Sequence, residues 1–236
     1  MNNILLIETA TPFCSVALSR DGVTEQVRQI SETNAHARVI TVFIDEVLKA
    51  CNLQPADLSA VAVSMGPGSY TGLRIGVSAA KGLCYALELP LIAISTLQAM
   101  AWGMAQKARQ ENRLPDNVIY CPLIDARRME VYTARYNARM EQLVEVQAVV
   151  IDEDSLQQWP TESNLVFAGD GMAKAKPILQ QLPRAIFVDD FTPSATYMAG
   201  LAQRKFENND FENLAYCEPF YLKEFKAAPP NVKGLR

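Results

Sequence analysis

The sequence has 236 residues, a net charge of −4 at neutral pH, and 49% hydrophobic and 20% charged residues. This composition is ordinary for a globular protein with a sizeable core, whereas an acidic chain neutralises phosphates poorly, which argues against unaided binding of nucleic acid. The five cysteines are widely spaced and include no Cys-x-x-Cys pair, so reduced thiols and a cytoplasmic location are expected, and no apolar run approaches the ~20 residues of a membrane span.

The first thirty residues predict three antiparallel strands joined by tight turns. The strand candidates are residues 4–8, 14–19 and 23–30, and residues 9–12 and 21–22 separate them with turn-forming types.

A wide apolar face marks the helix that is predicted over residues 33–50, with Ser31 or Thr33 as its N-cap. This face is formed by Val39, Ile40, Phe43, Ile44, Val47 and Leu48. We expect one side of a sheet to leave part of so broad a face uncovered.

A buried strand, a tight turn and a helix start are predicted in succession over residues 61–76. Pro67 fixes its own φ angle and Gly68 tolerates a positive one, so a type II turn is expected, and Ser69 suits the N-cap of a helix over 70–87. Backbone N–H groups at such a helix start hold anions, and an ordinary capped turn is the alternative. Without a following Gly-Lys-Ser/Thr the stretch is not a Walker A loop.

Small residues recur on one face of this predicted helix, at Gly72, Gly76 and Ala80. Glycine destabilises a helix interior by about 1 kcal/mol relative to alanine. Two glycines on one face therefore predict that another backbone packs very close there.

The rest of the chain predicts further strands and helices around a polar segment. Residues 109–117, which include Pro115, are the best candidate for a domain boundary. Strands are predicted over 91–94, 118–125, 129–136, 144–151, 164–168 and 185–188. Helices are predicted from Ser95 or Thr96 to about 108, after Gly171, and from Ser194 or Thr196 to about 206.

Three blocks of the sequence resemble the bacterial TsaB (YeaZ) proteins. Gly66-Pro-Gly-Ser-Tyr-Thr-Gly-Leu-Arg-Ile-Gly76 is similar to the hallmark of that family, and Asp125-Ala-Arg-Arg-Met-Glu-Val-Tyr132 is similar to its second block. Glu218-Pro-Phe-Tyr-Leu-Lys223 resembles its closing segment, with lysine in place of the usual arginine. The resemblance spans nearly the whole chain, densely over 1–100 and thinly over 137–215.

Two similar hairpin starts, Leu6-Ile7-Glu8 and Leu123-Ile124-Asp125, lie about half a chain apart. They indicate an internal duplication, with a chance match as the alternative. The family resemblance implies the α/β fold of the actin-like ATPases, a ribonuclease-H-like fold with two βββαβα-type lobes of which the second is reduced. The expected lobes are residues 1–108 and 109–226, followed by a flexible tail at 227–236.

The resemblance also implies a nucleotide site, retained or vestigial, at the lobe interface, and no tightly bound cofactor. Its residues would be Glu8, Thr9, Thr11, Asp125, Gly169, Asp170 and Gly171. Glu8 stands where the family usually has aspartate, and its longer side chain would crowd a metal-water shell, so at most weak binding of an adenine nucleotide is expected. Ordinary turn chemistry, with aspartates capping helices or closing hairpins, is the alternative.

His36 is the sole histidine, which limits the chemistry that the chain can perform. A site with two histidine ligands is impossible and no Gly-x-Ser-x-Gly nucleophile elbow is present, so no catalytic or metal-binding residue is assigned and a peptidase is not expected. His36 is most simply a polar residue in the first helical turn. Arg127 is expected to pair with Asp125 or with a ligand carboxylate, or else to belong to a charged hairpin loop.

By resemblance the chain is expected to do no chemistry of its own. It would bind TsaD as a heterodimer, with TsaE joining the pair, and would form a homodimer when alone. The complex would transfer threonylcarbamoyl from threonylcarbamoyl-AMP to the adenosine beside the anticodon in tRNAs that read codons starting with A, and the chain would meet tRNA only through the complex. A small-molecule kinase or ATPase of the same fold is the alternative. The expected partner surface consists of Val39, Phe43, Val47, Tyr70, Leu73, Gly76, Val77, Ala80 and Leu83.

Overall fold

The computed structural model describes residues 1–32, 35–110 and 117–223, which form two five-stranded mixed sheets with helices. The first sheet has the order β3-β2-β1-β4-β5. Its strands are β1 (Asn3–Glu8), β2 (Phe13–Arg20), β3 (Val23–Ser31), β4 (Ala60–Gly66) and β5 (Leu91–Ser95). The three opening strands are antiparallel, as predicted, and β4 and β5 are parallel to β1.

The second sheet repeats this arrangement with the order β8-β7-β6-β9-β10. Its strands are β6 (Val118–Asp125), β7 (Glu130–Asn137), β8 (Gln142–Val150), β9 (Asn164–Ala168) and β10 (Ala185–Phe187). The helices are α1 (His36–Ala50), α2 (Tyr70–Leu87), α3 (Thr96–Gln110), α4 (Met172–Leu179) and α5 (Ala199–Glu207). None of the helices in the described ranges is long and apolar enough to cross a membrane.

The predicted fold class is confirmed, because the same strand order occurs twice in one chain. The second lobe is also reduced as expected. Helix α1 lies between the third and fourth strands of the first lobe, whereas the single 3-10 segment Asp154–Gln158 occupies the equivalent place in the second.

Alternating side chains build one core on each face of the first sheet. Leu5 and Ile7 point to the side that α1 and α2 cover, and Ile4 and Leu6 point to the other side. That second side is covered by Leu201 and other residues of α5, although α5 belongs to the second half of the sequence.

Helix α3 does the reverse and packs on the sheet of the second half. Leu97 and Met100 lie in a core with Val118 and Tyr120 of the second sheet, although α3 precedes that sheet in the chain. Each sheet therefore buries a helix from the other half, and the division at residue 108 stays a prediction. Residues 111–116 of the predicted boundary and the tail at 227–236 lie outside the described residues.

The close approach predicted for the small-residue face of α2 comes from the β1–β2 turn of the same chain. A Cβ atom at Gly72 would collide with the carbonyl oxygen of Thr9, and one at Gly76 would collide with the Thr9 hydroxyl. A Cβ atom at Gly68 would likewise meet the carbonyl oxygen of Ala10. The glycine spacing thus lets one turn lie directly on the start of α2.

The predicted type II turn before α2 is wrong. Gly66, not Gly68, has the positive φ, at 115°, and the Gly66–Pro67 peptide bond is cis. The loop is shaped by contacts that are distant in sequence, since Ser69 N–H donates to the carbonyl of Ala10 at 2.6 Å and a Cβ atom at Gly66 would lie 2.5 Å from the carbonyl oxygen of Phe220. Ser69 is nevertheless the N-cap, as predicted, and its hydroxyl accepts from Gly72 N–H at 3.2 Å.

Ser31 is not the N-cap of α1, because β3 extends through it. The helix begins at His36 after Ala35, without a side-chain cap, and Thr33 lies outside the described residues. The predicted cap at Ser95 is confirmed by its hydrogen bond, because its hydroxyl accepts from Gln98 N–H at 3.4 Å. The Ser194 hydroxyl accepts from Thr196 N–H at 3.3 Å, but it caps the 3-10 segment Ala195–Met198, and α5 begins after it at Ala199 without a side-chain cap.

Replacing Gly72 with alanine should destabilise the chain. The new methyl group would collide with the Thr9 carbonyl oxygen, so we expect the free energy of unfolding to fall by about 2 kcal/mol, as is typical of overpacking. Gly82→Ala in the same helix is the matched control. No atom lies within 4 Å of its added Cβ, so it should gain about 1 kcal/mol from helix propensity. Urea unfolding of both variants measures the difference, and equal shifts would contradict the packing described above.

Candidate functional site

A cleft of about 870 Å³ lies between the two lobes. The β1–β2 turn and the turn before α2 contribute residues 10–12 and 68–71 from the first lobe. The β6–β7 hairpin and Asp170 line it from the second lobe, and residues 220–223 line it as the last described segment. The arrangement brings together two of the three blocks that resemble the family and part of the third.

The predicted nucleotide residues divide between the cleft and the core. Thr11, Asp125 and Asp170 line the cleft. Glu8 is only 1% exposed, Thr9 is fully buried, and neither is part of the lining of the cleft, so their contact with a nucleotide stays a prediction. The structure therefore gathers the two hairpins at one cleft, as expected, but withdraws the first acidic side chain from it.

The backbone of the β1–β2 turn is already satisfied by side chains of the same chain. The Glu8 carboxylate accepts from Ala10 N–H at 2.6 Å, and the Ser64 hydroxyl accepts from Thr9 N–H at 3.3 Å. In an anion-binding turn these N–H groups would point at the ligand. Here the Glu8 carboxylate takes that place.

Burial governs the ionisation of two carboxyl groups at the inner end of the cleft, which we define by Asp170 on its lining and by Glu8 buried behind that lining. Burial raises the pKa of Glu8 to about 7, against hydrogen bonds from Ala10 and Ser64 that lower it, and the Asp170 charge adds to the rise. Burial likewise raises the pKa of Asp170, whose carboxylate accepts from Asp125 N–H at 3.0 Å. The inner end is thus acidic and repels an anionic ligand whenever these groups are ionised.

The Gly169-Asp170-Gly171 turn, which was predicted above to belong to a nucleotide site, makes packing contacts within the chain. Gly171 N–H donates to the Leu123 carbonyl at 3.0 Å, and Met172 N–H donates to the Gly169 carbonyl at 3.1 Å. Gly169 has a φ of 120°, and a Cβ atom there would collide with the Leu123 carbonyl oxygen. These glycines join β9 to β6, and few N–H groups are left to hold a phosphate.

Asp125 pairs with Lys174, not with the Arg127 side chain. Lys174 Nζ forms an ion pair with Asp125 Oδ1 and donates to the Glu130 carbonyl at 2.6 Å. Arg127 contributes only its backbone N–H, which donates to Asp125 Oδ1 at 2.7 Å. Sequence reasoning missed Lys174 because it lies 49 residues from Asp125, on α4.

The last described segment ties α2 to the second lobe, and we call residues 217–223 the strap. Lys81 Nζ donates to the Cys217 carbonyl at 2.9 Å, and the rings of Tyr70 and Tyr221 lie 4.6 Å apart. At its far end Lys223 forms an ion pair with Glu130 of the second lobe. The lysine that replaces the usual arginine of the family is therefore a link between the lobes.

His36 has a structural position at the base of the same turn. It is buried, and its Nε2 lies 2.9 Å from the carbonyl oxygen of Thr11, so this nitrogen is the donor. The ring holds the β1–β2 turn against the start of α1. Within the described residues, no cluster of three or more His, Cys, Asp or Glu side chains has a geometry that fits a metal ion.

Much of the predicted partner surface is buried inside the chain itself. Val47, Leu73, Gly76, Val77 and Ala80 face the first sheet and the β1–β2 turn. The chain's own sheet and turn cover these five residues, so a partner that meets this structure of the chain does not find them at its surface.

The remaining predicted partner residues keep some exposure. These are Val39, Phe43, Tyr70 and Leu83, all of which are partly exposed. Their contact with a partner stays a prediction.

The outer face of α2 carries an exposed set that sequence reasoning missed. Ser78, Gly82 and Tyr85 follow at spacings of four and three residues and are exposed, Tyr85 to 82%. Gly82 does not lie on the helix face that carries Gly72 and Gly76. Its position on another face was the sequence signal that could have indicated this exposed set. No described residue requires glycine there, since beyond the backbone of α2 and the adjoining residues none of their atoms lies within 4 Å of an added Cβ.

Comparisons with known proteins agree on one family. Residues 29–234 match the family model described as TsaD: tRNA N6-adenosine threonylcarbamoyltransferase. The chain is 34% identical over 229 residues to the Escherichia coli (strain K12) tRNA threonylcarbamoyladenosine biosynthesis protein TsaB, covering 93% of this chain and 94% of that protein. The Bacillus subtilis (strain 168) protein of the same name is 37% identical over 152 residues, which are 63% of this chain and 62% of that one.

A solved structure shares the fold. YeaZ from Pseudomonas aeruginosa superposes with a TM-score of 0.79 at 24% identity, covering 94% of this chain and all of that chain. At this identity the likeness establishes the fold alone.

Replacing Glu8 with glutamine tests the buried carboxyl group. Because its pKa rises from 4.5 in the unfolded chain to about 7 in the folded chain, the folded state holds a proton in this pH window that the unfolded state has lost. The contribution of Glu8 to stability is therefore fully present below pH 4.5 and is lost as the pH rises through about 7. The loss should reach about 3 kcal/mol, since one pKa unit corresponds to about 1.4 kcal/mol.

Glu8→Gln keeps the oxygen that accepts from Ala10 N–H and removes the titration. We expect it to be more stable than the wild type at pH 8 and to show a flatter dependence between pH 5 and 8 in urea unfolding. Glu145→Gln on the exposed face of β8 is the control and should follow the wild type. Parallel curves for Glu8→Gln and the wild type would mean that Glu8 does not titrate in this window.

Proposed function

Because this chain belongs to the family of the tRNA threonylcarbamoyladenosine biosynthesis protein TsaB, within the wider family of the TsaD model, we propose that it acts in the same biosynthesis as a non-catalytic partner subunit. It binds TsaD and holds it in an active form, and TsaE joins the pair. The complex transfers threonylcarbamoyl from threonylcarbamoyl-AMP to the adenosine beside the anticodon in tRNAs that read codons starting with A.

The main observation in support of the partner role is Gly82, an exposed glycine within α2. Glycine within a helix costs about 1 kcal/mol relative to alanine, and none of the described residues comes close enough to Gly82 to explain it. A glycine lets a second backbone come close, and the exposed ring of Tyr85 on the same face is the kind of side chain that anchors interfaces. We therefore assign TsaD to the face of Ser78, Gly82 and Tyr85, with the partly exposed Val39 and Phe43 of the neighbouring α1 beside it.

The closed β1–β2 turn supports a role without chemistry of its own. Catalysis on a phosphate would require N–H groups that are free to meet it, whereas those of Thr9 and Ala10 are bonded to Ser64 and Glu8. This geometry also disfavours the kinase or ATPase alternative.

The net charge and the free cysteines indicate how the chain meets tRNA and in which compartment it acts. With a net charge of −4, the chain meets tRNA only through the complex, and in the absence of TsaD it pairs with a second copy through the same face. All five cysteines are free, which suits the reducing cytoplasm.

Charging the outer face of α2 tests the partner role. The wild type should co-purify with TsaD of its own organism as a one-to-one complex in light scattering. When threonylcarbamoyl-AMP is supplied, TsaD with TsaE should modify tRNA only when this chain is added. Gly82→Glu, at a position open to solvent, should weaken the complex at least tenfold, because the carboxylate would be buried unpaired at the interface. The wild type alone should modify nothing.

Ala173→Glu provides the control, because it charges an exposed small residue of α4 in the other lobe. It should bind TsaD like the wild type. Thermal melting of both variants guards against unfolding. If both variants bound TsaD with equal affinity, the interface would not be on this face of α2. The absence of any complex of the wild type with TsaD at micromolar concentrations would refute the partner role.

A further inference from the structure

Two consecutive arginines of the β6–β7 hairpin have an unusual backbone. Arg127 and Arg128 have φ angles of 69° and 47°, in the left-handed region that asparagine and glycine adopt more readily than arginine does. The sequence thus keeps arginine at two positions where the backbone favours other residues. Such outliers point to a role for the side chains themselves.

Both arginines line the cleft and are exposed to solvent, and we call this end of the cleft, marked by Arg127 and Arg128, its mouth. Asp125 and Glu130 of the same hairpin pair with Lys174 and Lys223. Within the described ranges neither arginine forms an ion pair. The mouth therefore presents two uncompensated positive charges on an acidic chain.

An anionic ligand would have to bind at the mouth and not at the inner end. Glu8 and Asp170 make the inner end acidic, and the N–H groups of the β1–β2 turn are already bonded. The arginines, by contrast, offer planar guanidinium groups that bind carboxylates with two parallel hydrogen bonds.

The rest of the lining indicates what carries the negative charge. Pro12, Phe220 and Leu222 give the cleft apolar surface beside the arginines. A small inorganic anion would contact the guanidinium groups and leave this surface wet. An extended segment with acidic and apolar side chains would cover both, and the cleft of about 870 Å³ has room for several residues.

We propose that the mouth of this cleft binds an acidic peptide segment of a partner protein, with the carboxylates of that segment on Arg127 and Arg128 and its apolar side chains on the lining between the lobes. This site is separate from the outer face of α2 and does not depend on the function proposed above.

The test compares a double variant with a matched control. Arg127→Asn with Arg128→Gly removes both charges and places residues there that the left-handed backbone favours, so its melting temperature should rise by about 2 °C or more. Arg38→Gln with Arg139→Gln removes two exposed arginines that do not line the cleft. The probe is a fluorescein-labelled peptide of eight residues that combines glutamate and leucine, and its counterpart has glutamine in place of glutamate.

Fluorescence anisotropy should show that the glutamate peptide binds the wild type and the control variant with equal affinity. It should bind the double variant at least tenfold more weakly. The glutamine peptide should not bind. Because the double variant is expected to be the more stable protein, unfolding cannot explain a loss of binding. Equal binding by the double variant, or equal binding of the two peptides, would overturn the proposal. So would binding of inorganic phosphate that depends on the two arginines while the peptide fails to bind.

Discussion

The contact of the β1–β2 turn with the start of α2 is the constraint on which the rest of this structure depends. Because Gly68 and Gly72 lack side chains, the carbonyl groups of Ala10 and Thr9 lie directly on the loop and first turn of the helix. This contact fixes α2 against the first sheet, fills the face that carries its small residues, and turns the opposite face, with Gly82, to solvent. This single packing contact thus determines both the shape of the cleft wall and which face of α2 is open to solvent.

The same contact changes what the inner end of the cleft can do. The turn that lies on α2 directs its N–H groups to Glu8 and Ser64, and His36 holds its Thr11 carbonyl from the other side. The Glu8 carboxyl oxygen occupies the place at Ala10 N–H that a bound anion would take, so the turn satisfies its own donor. The fold keeps the two-lobed architecture while the inner end of the cleft is closed by the chain's own side chains.

Local patterns predicted the architecture well because they depend on interactions between neighbours in sequence. The strands β6 and β9 and the helix α2 have the predicted bounds, since alternation, turn residues and the Ser69 cap all act within a few residues. The failures involve contacts between distant parts of the chain. The turn before α2 is bent by Ala10 and Phe220, and an apolar or small-residue face does not reveal whether the same chain or another one covers it.

The groups that are paired and those that are not lie in different parts of the molecule. The charged groups near the inner end of the cleft are already paired within the chain, with Asp125 bonded to Lys174 and Glu8 to Ala10 N–H, so little free energy would be gained from their pairing with a substrate. Catalysis requires polar groups that are held ready for a transition state, whereas association requires surface whose partners are missing. The surfaces that we propose for association are the outer face of α2 and the arginine pair of the β6–β7 hairpin. Paired groups in the cleft and unpaired groups at the surface favour a role in binding a partner protein over a role in catalysis.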